Sequence, residues 1–134
     1  RDVYKRQVVQ VERRRGTELF INDGVYGSLS DAGVPAFRFP CRLIRAGGED
    51  RADGAREMGD VVAFSFWGPT CDSADRMTGP FLLPADVREG DWIEIGQLGA
   101  YGATLRTAFN GFDIARMADV SDAPLLETPG HPMR

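Results

Sequence analysis

The sequence predicts an all-β domain, a β-sandwich or barrel of short strands. Two observations carry this expectation. Sixteen glycines and eight prolines in 134 residues set turn signals at close intervals along the chain. Between these turns lie short runs in which apolar and polar residues alternate, with hardly any helical pattern.

Taken in order, Val8 to Arg13 alternates as a strand, Gly16 marks a turn, and Glu18 to Asn22 reads as the hairpin partner. Asn22-Asp23-Gly24 is a turn. Val25 to Ala36, rich in Gly, Ser and Asp and holding Pro35, is a loop or a short helical turn. From Arg38 to Arg45 the chain again has period two, with Phe37, Phe39, Cys41 and Leu43 on one face. Gly47 to Gly59 is polar and reads as a mobile connection with at most one helical turn near Ala55-Arg56-Glu57. Val61 to Trp67 is the strongest strand, and Gly68-Pro69 breaks it into a turn. Met77 to Leu83 is extended. Arg88-Glu89-Gly90-Asp91 turns into a strand at Trp92 to Ile95, and Gly96 to Gly102 is a glycine-dense bend. Ile114 to Val120 is expected to close the sheet, and Pro124 onward to fray. The chain is thus divided into residues 1–7, a β-domain over 8–122, and a flexible tail over 123–134.

Composition excludes several classes of function. The net charge is −4 and the pI about 5.0, which opposes the basic stripe of a nucleic-acid binder. Arg13-Arg14-Arg15 reads as a solvated strand end. No apolar run approaches the roughly 20 residues of a membrane span, and no signal peptide is visible. Cys41 and Cys71 are far apart in sequence, and His131, the one histidine, lies in a Pro/Gly tail, so a structural metal is not expected. Nothing suggests secretion, and reduced thiols in a cytoplasm are the expectation.

The first residues stand apart. Asp2-Val3-Tyr4-Lys5-Arg6-Gln7 reads back as GAT GTG TAT AAG AGA CAG, which resembles a transposon end used in sequencing-library preparation. Lys5 is the one lysine in the chain, and every basic side chain after Gln7 other than His131 is arginine. Residues 1–7 are therefore read as an adapter artefact, and the protein as cut on its N-terminal side.

Three places could carry chemistry. Trp67-Gly68-Pro69-Thr70-Cys71-Asp72-Ser73-Ala74-Asp75 puts a thiol beside a carboxylate on a loop. A thiol acts as nucleophile or as acid, yet a free cysteine is commonly just packed. The neighbouring Asp72 disfavours the thiolate, which suits a proton donor. Asp72 itself could bind an ammonium group or cap its own turn. Gly96-Gln97-Leu98-Gly99-Ala100-Tyr101-Gly102 has the wrong spacing for a dinucleotide loop, and no βαβ unit follows. Tyr101 either offers its hydroxyl to a ligand or packs at a sheet edge. In Phe109-Asn110-Gly111-Phe112, Asn-Gly favours a turn with positive φ between two aromatics of core or interface.

Taken together and in order, Asn22-Asp23-Gly24-Val25-Tyr26-Gly27-Ser28, Trp67-Gly68-Pro69-Thr70-Cys71-Asp72, Gly99-Ala100-Tyr101 and Phe109-Asn110-Gly111-Phe112 closely resemble the C-terminal β-domain of eukaryotic-type ornithine decarboxylases. These belong to the alanine-racemase-like group of pyridoxal-phosphate (PLP) amino-acid decarboxylases. The resemblance runs from about Val8 to Val120. It implies an N-terminal (β/α)₈ barrel carrying the PLP-binding lysine, and a head-to-tail homodimer with active sites at the interface. Cys71 matches the cysteine that reaches into the partner's site and protonates the substrate α-carbon after CO₂ leaves. Asp72 matches the carboxylate that holds the distal amine of a diamino-acid substrate. Tyr101 matches the tyrosine on the PLP phosphate, Phe109 an aromatic beside the shared pocket, and Gly99 a glycine at the dimer contact.

One stretch departs from the family. Eukaryotic members carry a Tyr-Asp pair after the first motif, whose aspartate also contacts the distal amine. Here Ser30-Asp31-Ala32-Gly33-Val34-Pro35 occupies that stretch, with Pro35 at the aligned position. The choice between ornithine and lysine therefore stays open. Diaminopimelate decarboxylases usually show Cys-Glu where this chain has Cys71-Asp72, which favours a substrate with a plain distal amine. The expected function is the C-terminal part of an ornithine or ornithine/lysine decarboxylase that makes putrescine for polyamine biosynthesis. This piece alone, without a cofactor lysine, is expected to be inactive. Three other readings are a non-catalytic regulatory homologue that binds a protein partner, a diaminopimelate decarboxylase-type enzyme, and a stand-alone binding module.

Overall fold

The computed structural model describes residues 6–33, 38–44, 60–98, 106–112, 116, 118–119 and 124–128. Among the described residues six strands, β1 (Gln7–Arg15), β2 (Glu18–Ile21), β3 (Cys41–Ile44), β4 (Val61–Trp67), β5 (Arg76–Pro84) and β6 (Trp92–Ile95), form a single sheet in the order β3-β6-β1-β2-β4-β5. Its two edge strands, β3 and β5, touch each other, with the Cys41 thiol 3.8 Å from the Leu82 carbonyl. The sheet is thus a curled half-barrel around one core, and the all-β expectation holds. Gln7, inside the stretch read as adapter, opens β1.

Alternation dictates which side chains fill the interior. Val9 and Val11 of β1 point inward, as do Leu19 and Ile21, Leu43, Phe64 and Phe66, Met77, Phe81 and Leu83, and Ile93 and Ile95. Phe39 packs against this cluster beside buried Cys41 and Leu43, while Phe37 lies outside the described residues. β1 is long because it serves two partners: residues 7–10 pair with β6 and residues 11–15 with β2. An irregularity between Val11 and Arg13 turns the strand from one to the other.

β4 and β5 pair with a second irregularity. Phe64 faces Phe81 and Phe66 faces Met77, so Gly79-Pro80 bulges out of β5. Gly79 has φ +70°, and a Cβ there would meet the backbone nitrogen of Phe81. β2 and β4 run parallel, so the Asn22-to-Ser28 loop lies on the long connection between them. It ends in a single 3₁₀ turn at Ser30–Ala32. On the other side of the sheet from Ile93 and Ile95, Glu94 is buried beneath Arg6 and Arg42, each 2.6 Å away.

Some expectations differ from what is seen. The closing strand over Ile114 to Val120 is absent at its described residues Arg116, Ala118 and Asp119, and the others lie outside the description. Its apolar residues Ile114, Met117 and Val120 recur every third position, which is not the period of a strand. Within the segment read as a frayed tail, Thr128 is buried and its Oγ1 accepts the Cys41 amide at 3.2 Å. Gly47 to Gly59 falls outside the described residues.

Phe66 is fully buried, and its ring stacks on Phe81 with centroids 4.2 Å apart. Phe66→Ala is expected to destabilise the fold by about 3–5 kcal/mol. Urea unfolding of the two chains followed by tryptophan fluorescence measures it, and a loss under about 1 kcal/mol would contradict this packing.

Candidate functional site

Three loops converge at one end of the sheet. The first leaves β2 as Asn22-Asp23-Gly24-Val25-Tyr26-Gly27-Ser28. The second connects β4 to β5 as Gly68-Pro69-Thr70-Cys71-Asp72-Ser73-Ala74-Asp75. The third is the segment 106–112.

Asp75 joins the first two. It is fully buried, and its carboxylate accepts the Val25 amide on Oδ1 at 2.8 Å. On Oδ2 it accepts the Thr70 amide at 3.2 Å and the Thr70 hydroxyl at 2.7 Å. Its backbone amide donates to the Asp72 carbonyl at 3.0 Å, and its carbonyl accepts the Gly68 amide at 2.9 Å. A Cβ on Gly24 or on Gly68 would collide with this carboxylate, so both positions need glycine for the close approach.

Asp23 organises the first loop in the same way. It is nearly buried, and Oδ1 accepts the Gly24 and Ser28 amides at 2.8 and 3.0 Å. Its Oδ2 accepts Gln7 Nε2 at 2.6 Å and lies 3.3 Å from the Arg106 guanidinium. Arg106 also donates to Ser28 Oγ at 2.6 Å. The third segment is thereby anchored to the first.

The turn so held presents Cys71 and Asp72. Cys71 is exposed and has φ +65°, an uncommon backbone state for a residue with a Cβ. Asp72 is half-buried. Its Oδ1 accepts the Ala74 amide and its Oδ2 the Tyr26 hydroxyl, both at 2.8 Å. The Ala74 amide first, and the Tyr26 hydroxyl second, hold its carboxyl below the usual carboxylate range. The same hydrogen bond, with burial and the charge of Asp72 behind it, pushes the Tyr26 phenol up.

Phe109 completes the group. Its ring lies 4.4 Å from that of Tyr26, and it is 40 % exposed. Asn110 and Gly111 take positive φ, +56° and +79°, as the Asn-Gly pair predicts. The Asn110 side-chain amide donates to the Thr70 carbonyl at 2.7 Å.

Of the residues singled out from sequence, Cys71, Asp72 and Phe109 share this site. Gly99 and Tyr101 lie outside the described residues. The sequence alone assigns no role to Tyr26, Asp75 or Asn110, although all three sit in or beside the quoted motifs. A signal was present for Asp75, since a carboxylate three residues after Asp72 in a Gly-Pro turn can close that turn on itself.

Comparisons with known proteins agree on what this arrangement is similar to. The family model for the pyridoxal-dependent decarboxylase C-terminal sheet domain matches residues 3–99. The ornithine decarboxylase of Neurospora crassa is 35 % identical over 98 residues, which is 70 % of this chain and 20 % of that protein. The ornithine decarboxylase of Schizosaccharomyces pombe is also 35 % identical over 98 residues, 73 % of this chain and 22 % of that one. The chain thus spans about a fifth of the length of these relatives. Among solved structures, the Vibrio vulnificus lysine/ornithine decarboxylase complexed with cadaverine matches with a TM-score of 0.63 and 29 % identity. That match covers 87 % of this chain and 30 % of the other. The Paramecium bursaria Chlorella virus arginine decarboxylase bound to agmatine matches with a TM-score of 0.62 and 29 % identity, over 81 % of this chain and 28 % of the other.

The Tyr26–Asp72 bond has a measurable signature. Asp72 has a depressed folded-state pKa, so its contribution to stability is present above the unfolded-chain value and lost as pH falls through the folded one. Tyr26 has a raised pKa, so its contribution is present below about pH 10 and lost as pH rises beyond it. Tyr26→Phe keeps the ring on Phe109 and removes the donor. The Asp72 carboxyl midpoint, followed by carbon NMR, is expected to move up, while the Ala74 amide still holds it below the usual carboxylate range. An unmoved midpoint would show that the hydroxyl does not act on this carboxylate.

Proposed function

Because the chain belongs to the family of pyridoxal-dependent decarboxylases, as their C-terminal sheet domain, we propose that it is the C-terminal part of an ornithine, or ornithine/lysine, decarboxylase that forms putrescine for polyamine biosynthesis in the cytoplasm. One observation carries this reading. An exposed thiol, Cys71, is held in a left-handed turn immediately before a carboxylate kept ionised by two donors.

In this reading Cys71 holds a proton at Sγ and delivers it to the α-carbon of the substrate once CO₂ has left. Its exposure matters, because the acceptor carbon belongs to a ligand seated mostly against other chain. Asp72 binds the distal ammonium of the diamino acid. A substrate without that ammonium leaves the anion unpaired, which is how such a site discriminates. Phe109, half-open and backed by Tyr26, walls the pocket with an apolar face.

PLP supplies the electron sink at the α-carbon when it is bound. The described residues suit the rim of such a site: an acid, an anion and an aromatic wall, on a chain with no lysine beyond Lys5. Tyr101 is assigned to the cofactor phosphate and Gly99 to the dimer contact. The barrel domain supplies the cofactor lysine, and two copies of the full protein complete each other's sites in a homodimer. The 134-residue chain by itself is accordingly inactive in this reading.

The tests use the full-length decarboxylase. Cys71→Ala is expected to slow turnover by roughly 10²–10⁴, the usual span for a lost positioned proton donor. Unchanged turnover and product would remove that role. Asp72→Asn is expected to raise KM for ornithine at least tenfold, roughly the 1.4 kcal/mol or more of a lost charge-assisted bond. An unchanged KM would show that the distal amine is bound elsewhere.

A further inference from the structure

The backbone around Cys71 is held at more points than a turn requires. A residue with a Cβ stays at φ +65° only when its surroundings impose that state. On the C-terminal side, the Asp75 amide holds the Asp72 carbonyl and the Ala74 amide holds the Asp72 side chain. On the N-terminal side, Asp75 holds the Thr70 amide and hydroxyl. These bonds fix both flanks but leave the peptide between Thr70 and Cys71 free to flip about its two Cα atoms.

Asn110 addresses that peptide. Its Nδ2 donates to the Thr70 carbonyl at 2.7 Å, across 40 residues of sequence. The Thr70 carbonyl and the Cys71 amide share one rigid plane. A bond that orients the carbonyl therefore orients the axis about which φ of Cys71 is measured. Asn110 is itself in the left-handed region at φ +56°, which asparagine tolerates better than most residues. Its segment is pinned to the first loop, since the Thr107 amide and hydroxyl donate to the Tyr26 carbonyl at 2.8 and 2.9 Å. The links close a ring from Asp72 to Tyr26, Phe109, Asn110, Thr70 and Cys71.

We propose that Asn110 is a positioning residue for Cys71: its side-chain amide locks the Thr70–Cys71 peptide plane so that the thiol is aimed at the reacting carbon. The aim of the thiol rests on the proton-donor reading given above; the lock on the peptide does not.

Two variants separate the amide from the backbone. Asn110→Asp keeps the shape and replaces the donor by an acceptor. Asn110→Gly keeps the left-handed turn and removes the side chain. In the 134-residue chain, the order parameter of the Cys71 amide from nitrogen relaxation is expected to fall in both from about 0.85 to below about 0.6. The Cys41 amide in the core is expected to keep its order. In the full-length decarboxylase, kcat is expected to fall roughly ten- to a hundredfold with KM for ornithine within twofold. Undiminished order at Cys71 in either variant overturns the proposal, as does equal loss at Cys41. Lost order with full kcat overturns it when Cys71→Ala slows the same enzyme. Should Cys71→Ala also be harmless, the donor role is what falls, and the order parameter alone decides the lock.

Discussion

The Asp75 carboxylate is the contact on which the rest of the site depends. It is fully removed from water, and its partners among the described residues are amides and a hydroxyl rather than cations. A buried anion is tolerated only where its lone pairs are met, and here they are met by two different loops. The two loops cannot separate without stranding it. Gly24 and Gly68 are the complement of the same constraint, since the carboxylate occupies the space their Cβ atoms would fill. What looks in the sequence like two glycine-bearing motifs more than forty residues apart is one interlocked unit.

The strands were legible because a half-buried strand writes its burial into alternate residues. Phe64 and Phe66, and Ile93 and Ile95, show this directly. Two things were not legible. The parallel pairing of β2 with β4 leaves no local mark, because it depends on where a long connection returns rather than on either strand. The bulge at Gly79-Pro80 was hidden inside a run that reads as continuous, and only its glycine and proline hint at it. The site was legible as a set of motifs and not as a geometry. Cys71 and Asp72 stand out from their own turn, and Phe109 only through the resemblance of its motif to the family's. The bonds that make them one site come from Tyr26, Asp75 and Asn110, whose roles exist only once distant segments meet.

The curl of the sheet explains why the motifs meet at all. β2 and β4 are neighbours, so the loop that leaves β2 and the turn that leaves β4 emerge side by side from parallel strands. The Cys71 turn sits beyond the C-terminal end of β4, on the short connection to β5. The opposite flank, β3-β6-β1, carries a different polar device, Glu94 beneath Arg6 and Arg42.

The two sulfur atoms of this chain live under opposite regimes. Cys41 lies against the Leu82 carbonyl in the core, and burial pushes its thiol up to about 12. It stays protonated, sealed from reagents, at any ordinary pH. Cys71 stands in solvent. A maleimide dye or spin label therefore has a single address on the folded domain, on the turn beside Asp72, so the native chain already carries a reporter for the surroundings of that turn.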